Sequence, residues 1–162
     1  MAKRIVTRIG NIFCVEIDRQ YKKFFQYVAN DMSQLNSSVI RAFKRKYPIE
    51  WKPDMDVIVD DDVEFYAHTV LSAGIQENTW YKVGTNKNVG DTDSIMFRLY
   101  SEAHIINMTK SYNWYVWFIN QEYIRIGEMT DEYRHLDIGY VYPVFQIESK
   151  IKTGKYVGHE LE

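Results

Sequence analysis

The stretch DDDVEFYAHTVLSAG, Asp60 to Gly74, decides whether the chain folds from strands alone or from strands and a helix. With a period of 3.6 residues, Val63, Tyr66, Ala67, Val70 and Leu71 recur on one apolar face. Asp61, followed three residues later by Glu64, resembles a capping box, and negative charge suits the positive end of a helix dipole. Gly74 is a natural stop, free to turn left-handed. The expectation is one well-formed helix over about residues 62–73.

Outward from this stretch the pattern is extended. Ile5 to Ile17 alternates imperfectly and breaks at Gly10, which leaves a strand from about Asn11 to Ile17, ending at the turn residues Asp18, Arg19 and Gln20. Lys23 to Ala29 is a second strand. Residues 38–47, SVIRAFKRKY, fit either period, but the Val-Ile pair and the closing Tyr-Pro favour extended chain. Thr79 to Val83 and Ser94 to Tyr100 follow. Asn113 to Ile119 and Glu122 to Glu128 read as a hairpin turning tightly at Asn120-Gln121. Asp137 to Tyr142 and Val144 to Ile147 read as strands broken by Pro143, which lacks a donor N–H. The expected fold is α+β but mainly β. It is an antiparallel, strongly twisted or barrel-like sheet of roughly eight strands, with the helix at 62–73 packed on it. No linker or repeat divides the chain, so 1–162 reads as a single domain, with about 150–162 a loosely held tail.

Composition narrows the function. With 46% hydrophobic and 26% charged residues, 162 residues can bury a core. Thirteen Tyr and only three Pro lean toward sheet. A net charge of −2 gives no general case for nucleic acid or an anionic membrane. The single cysteine, Cys14, has no internal partner, and no apolar block of signal-peptide length opens the chain; the expected location is the cytoplasm.

Catalytic signatures are sparse. The chain has no P-loop, G-x-G-x-x-G, H-E-x-x-H or G-x-S-x-G, and His68, His104, His135 and His159 are scattered. No catalytic residue, cofactor or metal ligand is assigned. Cys14 reads as a small buried hydrophobe, and His68 as a surface or interface histidine. Arg41 to Lys46 would split its charge between the two faces of a strand, unlike a basic groove. Two groups remain as candidate partner-binding residues. One is the acidic run Asp54, Asp56, Asp60, Asp61, Asp62 and Glu64, which is either a solvated loop ending in a helix cap or a patch for a basic partner. The other is Tyr115 and Trp117. Trp114, Val116 and Phe118 face one side of their strand, and Tyr115, Trp117 and Ile119 the other. Both sides are apolar, so the strand is covered twice or one side is a sticky surface.

The order of short motifs carries a resemblance. Gly10-Asn11-Ile12-Phe13 opens a strand, followed by Phe24-Phe25-Gln26-Tyr27-Val28-Ala29 and Val39-Ile40-Arg41-Ala42-Phe43. Phe65-Tyr66-Ala67-His68, Trp80-Tyr81-Lys82-Val83-Gly84, Trp114-Tyr115-Val116-Trp117, Ile138-Gly139 and Lys152-Thr153-Gly154-Lys155-Tyr156 come later. This series resembles a Bacteroides-type group associated with immunity protein family 26 of bacterial polymorphic-toxin systems. The first third matches the named family, and nearly the whole chain matches the narrower group. The resemblance implies a small, non-catalytic cytoplasmic protein whose partner is a cognate toxin, neutralised by direct binding. It carries over no contact residue. Some members of the wider family bear a phosphotriesterase name, so a metal-dependent hydrolase is one alternative, though its di-metal site needs His and carboxylate ligands in register. A small barrel that binds nucleic acid is another.

Overall fold

A computed structural model describes residues 4–33, 35–102 and 109–158. The chain is mainly β, with two separate sheets. The strands are β1 (Asn11–Ile17), β2 (Tyr21–Asp31), β3 (Ser37–Phe43), β4 (Tyr47–Pro48), β5 (Val63–Thr69), β6 (Tyr81–Thr85), β7 (Met96–Tyr100), β8 (Trp114–Phe118), β9 (Ile124–Gly127), β10 (Asp137–Ile138) and β11 (Val141–Tyr142). The helices are α1 (Met55–Val59), α2 (Leu71–Gln76) and α3 (Val144–Thr153). Eight of the described strands have four or more residues.

The larger sheet runs β11-β5-β3-β2-β1-β6, with β4 also pairing with β2; the smaller runs β10-β7-β8-β9. Pairing is antiparallel except for β10 with β7 and β11 with β5. Neither sheet closes into a barrel. Among the described residues, both ends of the larger sheet are free of further pairing.

The helix expected at 62–73 is not there. Val63–Thr69 is β5, and a short α2 follows it. The same residues satisfy both periods. As a strand, Phe65 and Ala67 enter one core while Tyr66 and His68 face the other way. β5 finds a full antiparallel partner in β3, from Ser38↔Thr69 to Phe43↔Val63, and its Val, Phe, Tyr and Thr suit a pleated surface. The apparent capping box has other uses. Asp61 accepts the Arg45 backbone N–H at 2.6 Å, and Glu64 pairs with Lys23 at 2.5 Å. Gly74 lies inside α2, where a Cβ would sit 2.0 Å from the Trp80 ring. Close packing explains that glycine, whose φ is not positive.

The strand expected at 144–147 is the start of α3, the longest of the described helices. Pro143 lies at its N-cap, Val144, Ile147 and Ile151 are buried at helical spacing, and Lys150 and Lys152 suit the negative end of the dipole. Gly154, at φ 82°, ends it left-handed. The first part of the expected loose tail is therefore packed: Ile151 is 2% exposed and Tyr156 stacks on Tyr142 at 3.9 Å. Residues 159–162 lie outside the described residues.

Among the described residues, four buried clusters result. Phe13, Phe25, Tyr27, Ile40, Phe65 and Trp80 pack under α2 and α3. On the opposite face of the larger sheet, Ile12, Cys14, Phe24 and Phe43 meet Ile58 and Val59 of α1. Beside them, Val28, Ala29 and Val39 meet Phe97 and Trp117 of the smaller sheet. Trp114 packs with Met129, Tyr133 and Ile138 on the outer side of that sheet. The strand β8 is thus covered on both faces from Trp114 to Trp117, with Phe118 left exposed at its end. Its link to β9 spans residues 119–123 rather than turning at two residues. Asn120, at φ 64°, uses this length to reach the end of β2, donating to Asn30 O and accepting from Met32 N, each at 2.8 Å.

Candidate partner-binding cleft

The acidic run spans α1, its exit and the start of β5, and local hydrogen bonds fix several of its carboxylates. Asp54 is the N-cap of α1 and accepts from the N–H groups of Asp56 and Val57 at 3.1 and 3.3 Å. The Asp61 carboxylate accepts from the backbone of Arg45 and of Asp62, tying the β3–β4 turn to the end of α1. Asp56 accepts from the Asn86 side chain at 2.8 Å. Asp60 and Asp62 are exposed, and their carboxylates have no partner among the described residues.

These groups border a cleft of about 380 Å³. Asp56, Asp60 and Asp61 line it from α1 and its exit, Val57 and Val59 supply apolar surface, and Arg45 is the cation in the lining. The far wall is Asn86 and Asn88, from the loop after β6. Three carboxylates face one guanidinium, so the cleft presents net negative charge. Two of the three are held in place by hydrogen bonds, which lowers the ordering cost of meeting a cation. Asp54 and Asp62 flank this cleft without lining it, and Glu64 lines a different groove beside Tyr66 and Ile95.

Nothing local in the sequence pointed to Asn86, Asn88 or Arg45 as lining residues. The two asparagines come from about thirty residues downstream and are placed by tertiary contacts. Asn86 donates its N–H to Gly10 O at 3.0 Å, and its own carbonyl accepts from Gln26 at 3.0 Å.

The other candidate pair separates. Trp117 is 1% exposed and donates its indole N–H to Asp31 at 2.8 Å, so it belongs to the core between the sheets and cannot contact a partner. Tyr115 is half-buried, 5.0 Å from the exposed Tyr123 ring, and lines a separate cavity of about 400 Å³ with Asn113 and Arg125.

His68 is also buried rather than at the surface. Its Nε2 lies 3.0 Å from Asp31 Oδ2, and both residues are 0% exposed. Burial alone would raise the Asp31 carboxyl. The hydrogen bonds from His68, Trp117 and the Asn120 backbone outweigh it and hold the group below its ordinary value. An ionised carboxylate only accepts, so His68 Nε2 carries the proton. Asp31 therefore joins β2 and β5 of one sheet to β8 of the other. The Cys14 thiol is 0% exposed, and burial pushes its pKa up, as for an inert structural cysteine. Among the described residues no three His, Cys, Asp or Glu side chains come together as a metal site, while His104 and His159 lie outside the described residues.

No family model, curated protein or solved structure matches the chain.

Proposed function

We propose that this chain is a non-catalytic binding protein that neutralises a bacterial toxin by docking its acidic cleft on a basic surface of that toxin. The observation that carries the binding mode is the cleft itself, with Asp56, Asp60 and Asp61 set against the lone guanidinium of Arg45. Exposed Asp60 and Asp62 have no partner among the described residues and are open to a cation from outside. Complementary charge speeds encounter and rejects acidic competitors, while the Val57 surface, 38% exposed, offers apolar contact at the centre. The toxin as partner class comes from the resemblance of the motif series. It also accords with a cytoplasmic place of action.

The test is co-expression with the toxins encoded beside the gene. The wild-type chain should restore growth against one of them. The double variant Asp56→Lys, Asp60→Lys should fail to do so while melting near the wild-type temperature. Growth that stays arrested with every neighbouring toxin, or full protection by the double variant, removes the reading.

A further inference from the structure

Arg41 is 6% exposed, yet no carboxylate pairs with it among the described residues. A buried charge is costly, and burial lowers the pKa of this guanidinium. A core position could be filled more cheaply by an apolar side chain, so the contacts Arg41 makes are the place to look for its use. Its Nε donates to Gln26 Oε1 at 2.9 Å, and its NH2 donates to the Asn88 carbonyl at 2.8 Å. Gln26, its cross-strand neighbour on β2, is 0% exposed. The Gln26 amide donates in turn to Gly10 O at 3.2 Å and Asn86 O at 3.0 Å. Two buried polar side chains of the sheet thus reach out to carbonyls at 86 and 88. Those two residues form the far wall of the acidic cleft.

Gly90 fits the same arrangement. It sits at φ 75°, and a Cβ there would lie 2.5 Å from Arg41 NH1. The loop passes so close to the guanidinium that only glycine fits without displacing it. Asn86 then hands the restraint across the cleft through its side chain to Asp56.

We infer that Arg41, with Gln26, is a positioning residue for the cleft: it holds the 86–90 loop at the distance from α1 that sets the width of the acidic site. The inference rests on the proposed binding role only for its biological use; the loop can be measured without any partner. Arg41 never touches the bound group. It acts through Asn88 and Asn86.

The experiment uses amide hydrogen exchange on the full chain, comparing wild type with Arg41→Met, Arg41→Lys and Gly90→Ala. Loss of a charge-assisted hydrogen bond should speed exchange at residues 86–91 by roughly tenfold to a hundredfold in Arg41→Met. Gly90→Ala should act in the same direction. Arg41→Lys, which keeps the charge but not the two-pronged geometry, should recover part of the protection. Exchange in β5 and β7 should stay near wild type in all three. Unchanged exchange at 86–91 in Arg41→Met overturns the inference. So does faster exchange spread evenly through β2 and β3, which would make Arg41 only a core residue. A deca-lysine peptide, titrated with Asp60→Ala as control, separates the two claims. Equal binding by wild type and Asp60→Ala counts against the acidic docking mode, and leaves the loop result to stand or fall by itself. If wild type binds more tightly than Asp60→Ala, then Arg41→Met should also weaken the peptide. Undiminished affinity there would overturn the positioning role.

Discussion

Single residues in this chain do their work at seams. Asp31 is the clearest case: one carboxylate, 0% exposed, accepts from His68 on β5, from Trp117 on β8 and from the backbone of Asn120. Replacing it with Asn removes the charge and at least one acceptor while leaving buried donors behind. That should cost about 2–3 kcal/mol at neutral pH, read from urea unfolding. The pH dependence has a definite sign. The folded pKa lies below the ordinary 3.8, so the ionised group stabilises fully above the unfolded value, and this is lost as pH falls through the folded one. The stability gap between wild type and Asp31→Asn should hold steady near neutrality and shrink below about pH 4; a gap that does not narrow in acid would assign the effect to shape instead of charge. None of this could be read from sequence. Asp31 sits among turn-forming neighbours, and its partners lie 37 and 86 positions away.

At the scale of elements, the sequence was most informative where the pattern had one solution. β1 runs Asn11–Ile17, the expected bounds: it is a short, almost wholly buried apolar run that ends at turn residues and feeds a core on each face of the sheet. The segment expected as a helix at 62–73 is the strand β5, because Val63, Tyr66, Ala67 and Val70 satisfy a helical stripe while Phe65, Ala67 and Thr69 satisfy a pleat equally well. The deciding factor was β3, about twenty-five residues earlier, which offered a complete ladder. α3 was missed for a different reason. Pro143 stands as well at the start of a helix as at the end of a strand, and Val144, Ile147 and Ile151 only show their spacing if the segment is followed past Lys150. A chain ending at Lys150 loses buried Ile151 and the Tyr156 ring that stacks on Tyr142. Its stability should fall by about 3 kcal/mol or more, seen as a lower urea midpoint. A midpoint equal to that of the full chain would return this segment to the status of a loose tail.

Over the whole molecule, the acidic run was legible as a cluster but not as a cleft. Its carboxylates are close in sequence, whereas the opposite wall depends on where β6 delivers Asn86 and on what Arg41 and Gln26 do beneath it. If the cleft meets a cationic partner, association should slow as salt rises, since screening shortens to about 3 Å at 1 M. Stopped-flow mixing with the proposed toxin partner would show it, and an association rate indifferent to salt would point to an uncharged contact. The fold as a whole depends on β2, whose eleven residues supply Phe24 to the cluster under α1, Phe25 and Tyr27 to the one under the helices, Val28 and Ala29 to the seam, and Asp31 to the link between sheets. A strand shared by three cores gives none of them the option of melting alone. The protein should therefore lose its structure in one step, with the β2 amides exchanging only through complete unfolding, at the same free energy that denaturant measures for the entire chain.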